Sequence, residues 1–200
     1  MTKQAFIISG FSPGVTAAGD EYAEFRAMLS RHGYAAVPVD IDWSRKTVSR
    51  FAADFISFYQ SRRGEDDLVI GNSFGAMVAL LTAGTLRPRK LMLCSMSAFF
   101  KEDLQKHDNP TPYIRRFGQF RWNDFSTLSE HQATARIDTV QTQVTITYGE
   151  LEQQWYPVLV DRAVATAHVL NTDAICLAGA PHSMREPQYI ASLDKVLQPI

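Results

Sequence analysis

Ser73 lies in Leu68–Leu80, "LVIGNSFGAMVAL", with Gly71 two residues before it and Gly75 two residues after. The apolar run "DLVIG" precedes it and the helical run "FGAMVALLTAG" follows it, which predicts a strand, a tight turn and a helix. In such a turn bulky neighbours would clash, and the two glycines remove them. The serine hydroxyl would then stand clear of the sheet at the positive end of a helix. The backbone N–H of Phe74 would face an oxyanion forming at a carbonyl under attack. The chemistry expected of Ser73 is therefore nucleophilic addition to a carbonyl. A G-x-S-x-G by itself is weak, so the reading depends on a base and an acid elsewhere in the chain.

The base must be one of five histidines. His32 sits beside Gly33 at a helix end, where capping and the helix dipole account for it. His107 and His131 lie in polar surroundings and read as surface residues, and His168 is on a helix with mixed neighbours. His182 follows the last apolar run in "CLAGAPHSMREP", just before the final helix. Loops at the carboxyl edge of a parallel sheet are where sites collect, so His182 is the expected partner of Ser73. An imidazole in that role needs an acid to orient it. Glu150 and Glu152, in "ELEQQWYP" after the run "VTITYG", are both candidates. A second oxyanion donor is expected from "SGFSPG", where Gly10 permits close backbone approach; Phe11 N–H is the first choice and Ser12 the alternative. A plain Gly-Pro turn is the competing explanation of that loop.

Elements must place these groups. Six apolar runs recur: Ala5–Phe11, Tyr34–Ile41, Asp67–Asn72, Lys90–Met96, Val144–Gly149 and Ala174–Gly179. They are nearly continuous in Val, Ile and Leu, as strands buried on both faces of a parallel sheet are. Helical periodicity fills the intervals Thr16–His32, Thr47–Arg62, Phe74–Leu86, Gln153–Leu170 and Pro187–Leu197. This alternation predicts an α/β fold with crossover connections. Ser97–Gln143 is too long for a plain crossover. It carries "NPTPY", expected to be a loop, and a polar, helical stretch from Tyr113 to about Arg136. Its aromatic residues, Phe99 and Tyr113 among them, either line a pocket or pack the excursion onto the body. Arg115, Arg116 and Arg121 in the same segment would meet a substrate carboxylate or an acidic carrier protein, or form a solvated helix face.

Composition removes several classes. With 200 residues and a formal net charge of −1, the chain reads as one domain without a basic nucleic-acid face. Cys94 and Cys176 each lie in an apolar run and are expected to be buried free thiols; no C-x-x-C marks a zinc or redox site. The N-terminal run is too short for a signal peptide, and no stretch approaches a membrane span. A cytoplasmic protein is expected, with no nucleic-acid or membrane partner. Nothing in the sequence fixes its oligomeric state.

Taken together these residues resemble the α/β-hydrolase superfamily over nearly the whole chain. The order nucleophile, acid, histidine matches, each after a strand. "IISGFSPG" resembles the oxyanion loop, "ITYGELE" the acid turn, commonly G-x-x-D, and "AGAPHS" the histidine loop, commonly G-x-G-H. The acid-turn match puts Glu152 ahead of Glu150. Ser9 stands where a histidine is usual, Glu152 where aspartate is commoner, and Pro181 where glycine is usual. The resemblance implies a single domain, 1–200, of about six mostly parallel strands flanked by helices in the order second, first, third, fourth, fifth, sixth. It implies a small helical lid at 97–143, as in compact members lacking the first hairpin. It also implies a serine hydrolase acting on a small or medium acyl ester or thioester through an acyl-enzyme, without metal or organic cofactor. The alternatives are an acyl-carrier or CoA thioesterase, an acyltransferase, or a ligand-binding protein without turnover.

Overall fold

The computed structural model describes residues 3–12, 14–39, 43, 46–107 and 109–198. The expected run to Ile41 therefore ends outside the described residues, as does Pro13 of the first loop. Strand β1 (Lys3–Ile8) is followed by a 3-10 turn at Asp20–Tyr22, α1 (Ala23–Arg31) and β2 (Tyr34–Val39). Then come α2 (Val48–Gln60), β3 (Leu68–Asn72), α3 (Phe74–Leu86) and β4 (Lys90–Cys94). The excursion contains α4 (Lys101–Leu104), α5 (Thr111–Phe117), α6 (Gln119–Phe125) and α7 (Glu130–Thr134). The chain continues through β5 (Gln143–Gly149), α8 (Glu152–Trp155), α9 (Pro157–Val169), β6 (Ala174–Leu177) and α10 (Pro187–Val196).

The six strands form one sheet in the order β2-β1-β3-β4-β5-β6, every pair parallel. Successive residues point to opposite faces. Phe6, Ile8, Val69, Leu91 and Leu93 enter a core shared with α2, α3 and α9. Ala5, Ile7, Leu68, Ile70, Met92 and Cys94 enter the core under α1 and α10. This two-sided burial explains the continuous apolar runs. Buried residues surround α3 on almost every side, whereas α2 buries a stripe, Val48, Phe51, Phe55 and Tyr59, at helical spacing. The hydroxyl of Thr47 accepts the Arg50 N–H at 3.3 Å and caps α2.

Several expectations need correction. The runs end sooner than apolar character suggests. After β4, Ser95 takes φ 47° and turns the chain, and β1 stops at Ile8 before the Ser9–Gly10 turn. "NPTPY" is not all loop. Thr111 opens α5, because a proline in the first helical turn removes an N–H that has no helical acceptor. The stretch to Arg136 is three short helices, broken at Gly118 (φ 87°) and again before Ser129. Pro157 divides the expected Gln153–Leu170 helix into α8 and α9. Cys94 is buried, but Cys176 is exposed, since β6 is an edge strand and its outward positions are uncovered.

The excursion is anchored through charges. Buried Asp103 accepts from Nε of buried Arg162 at 3.1 Å, and Arg162 Nη1 lies 3.2 Å from Glu130 Oε2. This triad joins α4, α7 and α9. Phe100, Phe125, Leu128 and Ala133 add apolar anchors to the same core. On the α2 side, Ser49 N–H donates to Asp124 at 3.1 Å. Among the described residues, no helix is long and apolar enough to cross a membrane.

Candidate active site

Ser73 occupies the turn between β3 and α3 with φ 56° and ψ −117°, a strained conformation for a residue bearing a side chain. The reason for its flanking glycines is steric. A Cβ on Gly75 would stand 2.1 Å from Ile8 O, and one on Gly71 would stand 2.3 Å from Gly75 O. The β1 strand end, the turn and the start of α3 are in backbone contact, with no room for a methyl group. Ser73 itself is half-buried in an otherwise buried stretch. Its Oγ lies 2.8 Å from Ser97 Oγ.

The acid and the histidine come from adjacent turns at the end of β5 and beyond β6. Glu152 is fully buried, and its Oε1 meets His182 Nδ1 in a short hydrogen bond. Its Oε2 accepts from Gly149 N–H at 2.7 Å and from Ser95 Oγ at 2.8 Å. Three donors thus surround the carboxylate. Ser95 can reach it because its left-handed turn aims the hydroxyl inward, where Oγ also lies 3.1 Å from Tyr189 Oη. The histidine loop is seated directly on Gly149: a Cβ there would fall 2.3 Å from both Ala180 O and Pro181 O. Glu150 points elsewhere. Its Oε2 accepts the Gly179 N–H at 2.7 Å and clasps the turn after β6 from outside.

Ser73 and His182 border one cavity of about 400 Å³. Phe11, Phe74, Ser97, Phe99, His107 and Tyr113 are among its other walls, as are Arg116, Phe117, Trp155 and Tyr156. Among the described residues, no hydrogen bond joins Ser73 Oγ to His182; Ser73 Oγ is paired with Ser97 Oγ instead, with either hydroxyl able to donate. The Phe74 side chain is 1% exposed and packs against Phe11, Trp43, Phe99, Phe117 and Phe125. That cluster fixes the first residue of α3. Phe11 lines the cavity and Ser12 does not; the Ser12 carbonyl instead closes a turn with Val15 N–H at 3.1 Å. Gly10 brings that loop close to the serine turn, since a Cβ there would be 3.0 Å from Ser73 Cβ.

The remaining histidines separate cleanly. His32 Nε2 meets Asp194 Oδ1 at 2.7 Å, and this contact with the His32 ring, with Arg31 adding to it, holds the Asp194 carboxyl below its ordinary range. His131 and His168 are exposed. His107 corrects the surface reading. Its ring stacks on Phe99 at 5.1 Å, its Nε2 lies 3.1 Å from Ala98 O, and it forms part of the cavity wall. The aromatic residues of the excursion divide as well: Phe99, Tyr113 and Phe117 line the cavity, Phe100 and Phe125 pack the core, and Phe120 is exposed.

Three polar residues have positions that sequence reasoning did not single out. Asn72, just before Ser73, donates from Nδ2 to Cys94 O at 3.3 Å and to His182 O at 3.2 Å. Ser95 and Ser97 flank Met96 after β4 and reach Glu152 and Ser73 respectively. The only sequence sign of the two serines was their place at a strand's carboxyl end. Among the described residues, no group of three or more His, Cys, Asp and Glu is gathered as a metal site.

No protein-family model matches the sequence, and no curated protein does. Solved structures do. Est1E from Butyrivibrio proteoclasticus, with ferulic acid bound, is 15% identical, covers 98% of this chain and 86% of its own, and gives a TM-score of 0.70. Alpha/beta hydrolase domain-containing protein 10 from mouse is 16% identical over 97% of this chain and 87% of its own, with a TM-score of 0.63. The thioesterase domain from the curacin biosynthetic pathway is 14% identical over 98% and 91%, with a TM-score of 0.64. At these identities the likeness concerns architecture, and together with the parallel sheet and its strand order it shows that this chain has the α/β-hydrolase fold.

Proposed function

We propose that the protein is a serine hydrolase that cleaves an ester or thioester of a small or medium acyl substrate. Ser73 is the nucleophile, His182 the base and Glu152 the orienting acid. The observation that carries this reading is the buried Glu152 carboxylate hydrogen-bonded to His182 Nδ1, with the imidazole and Ser73 bordering the same cavity. A carboxylate on Nδ1 leaves Nε2 to accept the serine proton and stabilises the imidazolium that forms. In the resting site Ser73 Oγ is paired with Ser97 Oγ, so the reaction begins when the Ser73 hydroxyl is directed to His182. Catalytic hydrogen bonds often tighten only once substrate is bound. Ser73 then adds to the carbonyl, and the N–H groups of Phe74 and Phe11 receive the oxyanion. His182 protonates the leaving alcohol or thiol, and water activated by the same imidazole releases the acid and restores Ser73. Loss of one oxyanion donor costs about 3 kcal/mol of transition-state stabilisation.

The small cavity and its aromatic walls favour an ester of limited size, and the excursion at 97–143 acts in this reading as a cap over it. A thioester fits the same chemistry. A cytoplasmic setting belongs to this reading. The Ser73–Ser97 contact favours one other reading, a ligand-binding protein whose serine is held inactive.

Fluorophosphonate labelling with peptide mapping tests the proposal, with Ser73→Ala, His182→Ala and Glu152→Ala beside the wild type. Label on Ser73 that depends on His182 supports it. A folded wild-type protein that takes no label refutes it and favours the binding protein.

A further inference from the structure

We infer that Arg116 is the anchor for an anionic group on the substrate, so that the preferred esters carry a carboxylate away from the scissile carbonyl. The inference rests on the serine hydrolase reading and names its substrate class.

The three arginines of the excursion have different surroundings. Arg121 is buried, and it donates from Nε to Lys46 O at 2.9 Å and from Nη1 to Phe117 O at 2.6 Å. It serves as a structural tie between α6 and the segment before α2. Arg115 and Arg116 are both exposed, and Arg115 does not border the cavity. Arg116 borders it, with its guanidinium 5.4 Å from the Phe117 ring centroid. Among the described residues, Arg116 has no carboxylate within ion-pair reach, and no Asp or Glu lines the cavity.

The wall's other polar groups are neutral donors such as the Tyr113 and Tyr156 hydroxyls and the Trp155 indole N–H, or are already engaged. Ser73, Ser97 and His182 belong to the chemistry, and the ring nitrogen of His107 is engaged by Ala98 O. Among the described residues, Arg116 is therefore the one arginine or lysine on a mostly apolar and aromatic wall. A guanidinium presents a planar fork of donors that matches a carboxylate in two parallel hydrogen bonds. At the mouth of a low-dielectric cleft its field also concentrates anions. A purely hydrocarbon ester would gain nothing from it. Placement in the last turn of α5, where a cation favours the helix dipole, explains its charge but not its side toward the cavity.

The test is steady-state kinetics on the full chain with two matched pairs of esters. Mono-4-nitrophenyl adipate against 4-nitrophenyl hexanoate places the carboxylate on the acyl side. 4-(Butanoyloxy)benzoate against its methyl ester places it on the alcohol side. In at least one pair the wild type should favour the anionic member in kcat/KM. Arg116→Gln should lower that within-pair ratio by ~10-fold or more, as expected for a charge-assisted hydrogen bond. Arg116→Lys should restore part of it, and Arg115→Gln should leave the ratio unaltered. Hydrolysis of the neutral esters with the same ratio in wild type and Arg116→Gln would overturn the inference alone. No turnover of any of the four esters would overturn the hydrolase reading and the inference with it.

Discussion

The side-chain amide of Asn72 donates to the main-chain carbonyl of His182 across 3.2 Å, between residues 110 positions apart in the chain. The same Nδ2 group donates to Cys94 O, so one buried amide pins the serine turn, the end of β4 and the histidine loop together. Asn72→Ala should cost about 1–2 kcal/mol of stability and loosen the histidine loop. Asn72→Asp should cost more, because a carboxylate would face two carbonyl oxygens. Urea unfolding of the two variants beside the wild type checks the order.

Glu152 and Glu150 are two residues apart and should behave oppositely. Glu152→Gln leaves an amide against the imidazole and should lower kcat on 4-nitrophenyl butyrate by ~10³-fold or more, by analogy with a wrong-tautomer histidine. Glu150→Gln retains an oxygen for the Gly179 N–H and should change kcat less than about threefold. The reverse order would make Glu150 the acid.

Gly75→Ala tests the steric account of the turn. The added methyl would meet Ile8 O at 2.1 Å, against backbone rather than a yielding side chain. The expected result is a loss of about 3 kcal/mol or more, seen as a fall in soluble yield and in the urea midpoint. A stable, active Gly75→Ala protein would show that the β1 end moves more freely than this packing allows.

Ser97→Ala removes the partner that holds the Ser73 hydroxyl at rest. If that contact only competes with His182, fluorophosphonate should label Ser73 about two- to tenfold faster, the value of one neutral hydrogen bond. Labelling slowed by more than about tenfold would instead mean that the Ser97 hydroxyl assists the reaction.

The two thiols should differ in their access to reagents. Burial pushes the Cys94 thiol up to about 11 and also shields it from reagents. At pH 8, iodoacetamide should modify Cys176 in the folded protein and reach Cys94 only after unfolding. Mass spectrometry of the two peptides reads the result.

Much of the architecture was legible because strands buried on two faces cannot hide: Ile7 and Ile8 serve opposite cores, and both must be apolar. The ends of strands were less so, since apolarity continues into turns that backbone angles such as that of Ser95 decide. Cys176 misled because an edge strand can keep an apolar sequence while leaving one face open. At the site, Ser73 and His182 could be picked out as residue types after strands, whereas Glu152 was set ahead of Glu150 by the likeness of "ITYGELE" to the acid turn of α/β-hydrolases. Asn72 and Ser97 could not, because their partners lie across the sheet or across a loop. His107 looked polar from its neighbours Lys106 and Gln105; its stacking on Phe99 is a product of the chain folding back after α4.

The placement of His182 has a consequence for biosynthesis. The ribosome completes the serine turn long before the histidine loop exists, and that loop is held by Gly149, Glu152 and Asn72 only after β6 has joined the sheet edge. On the proposed mechanism, a nascent or truncated chain would carry a correctly built serine turn with no base beside it. Labelling at Ser73 would then report the docking of the last strand.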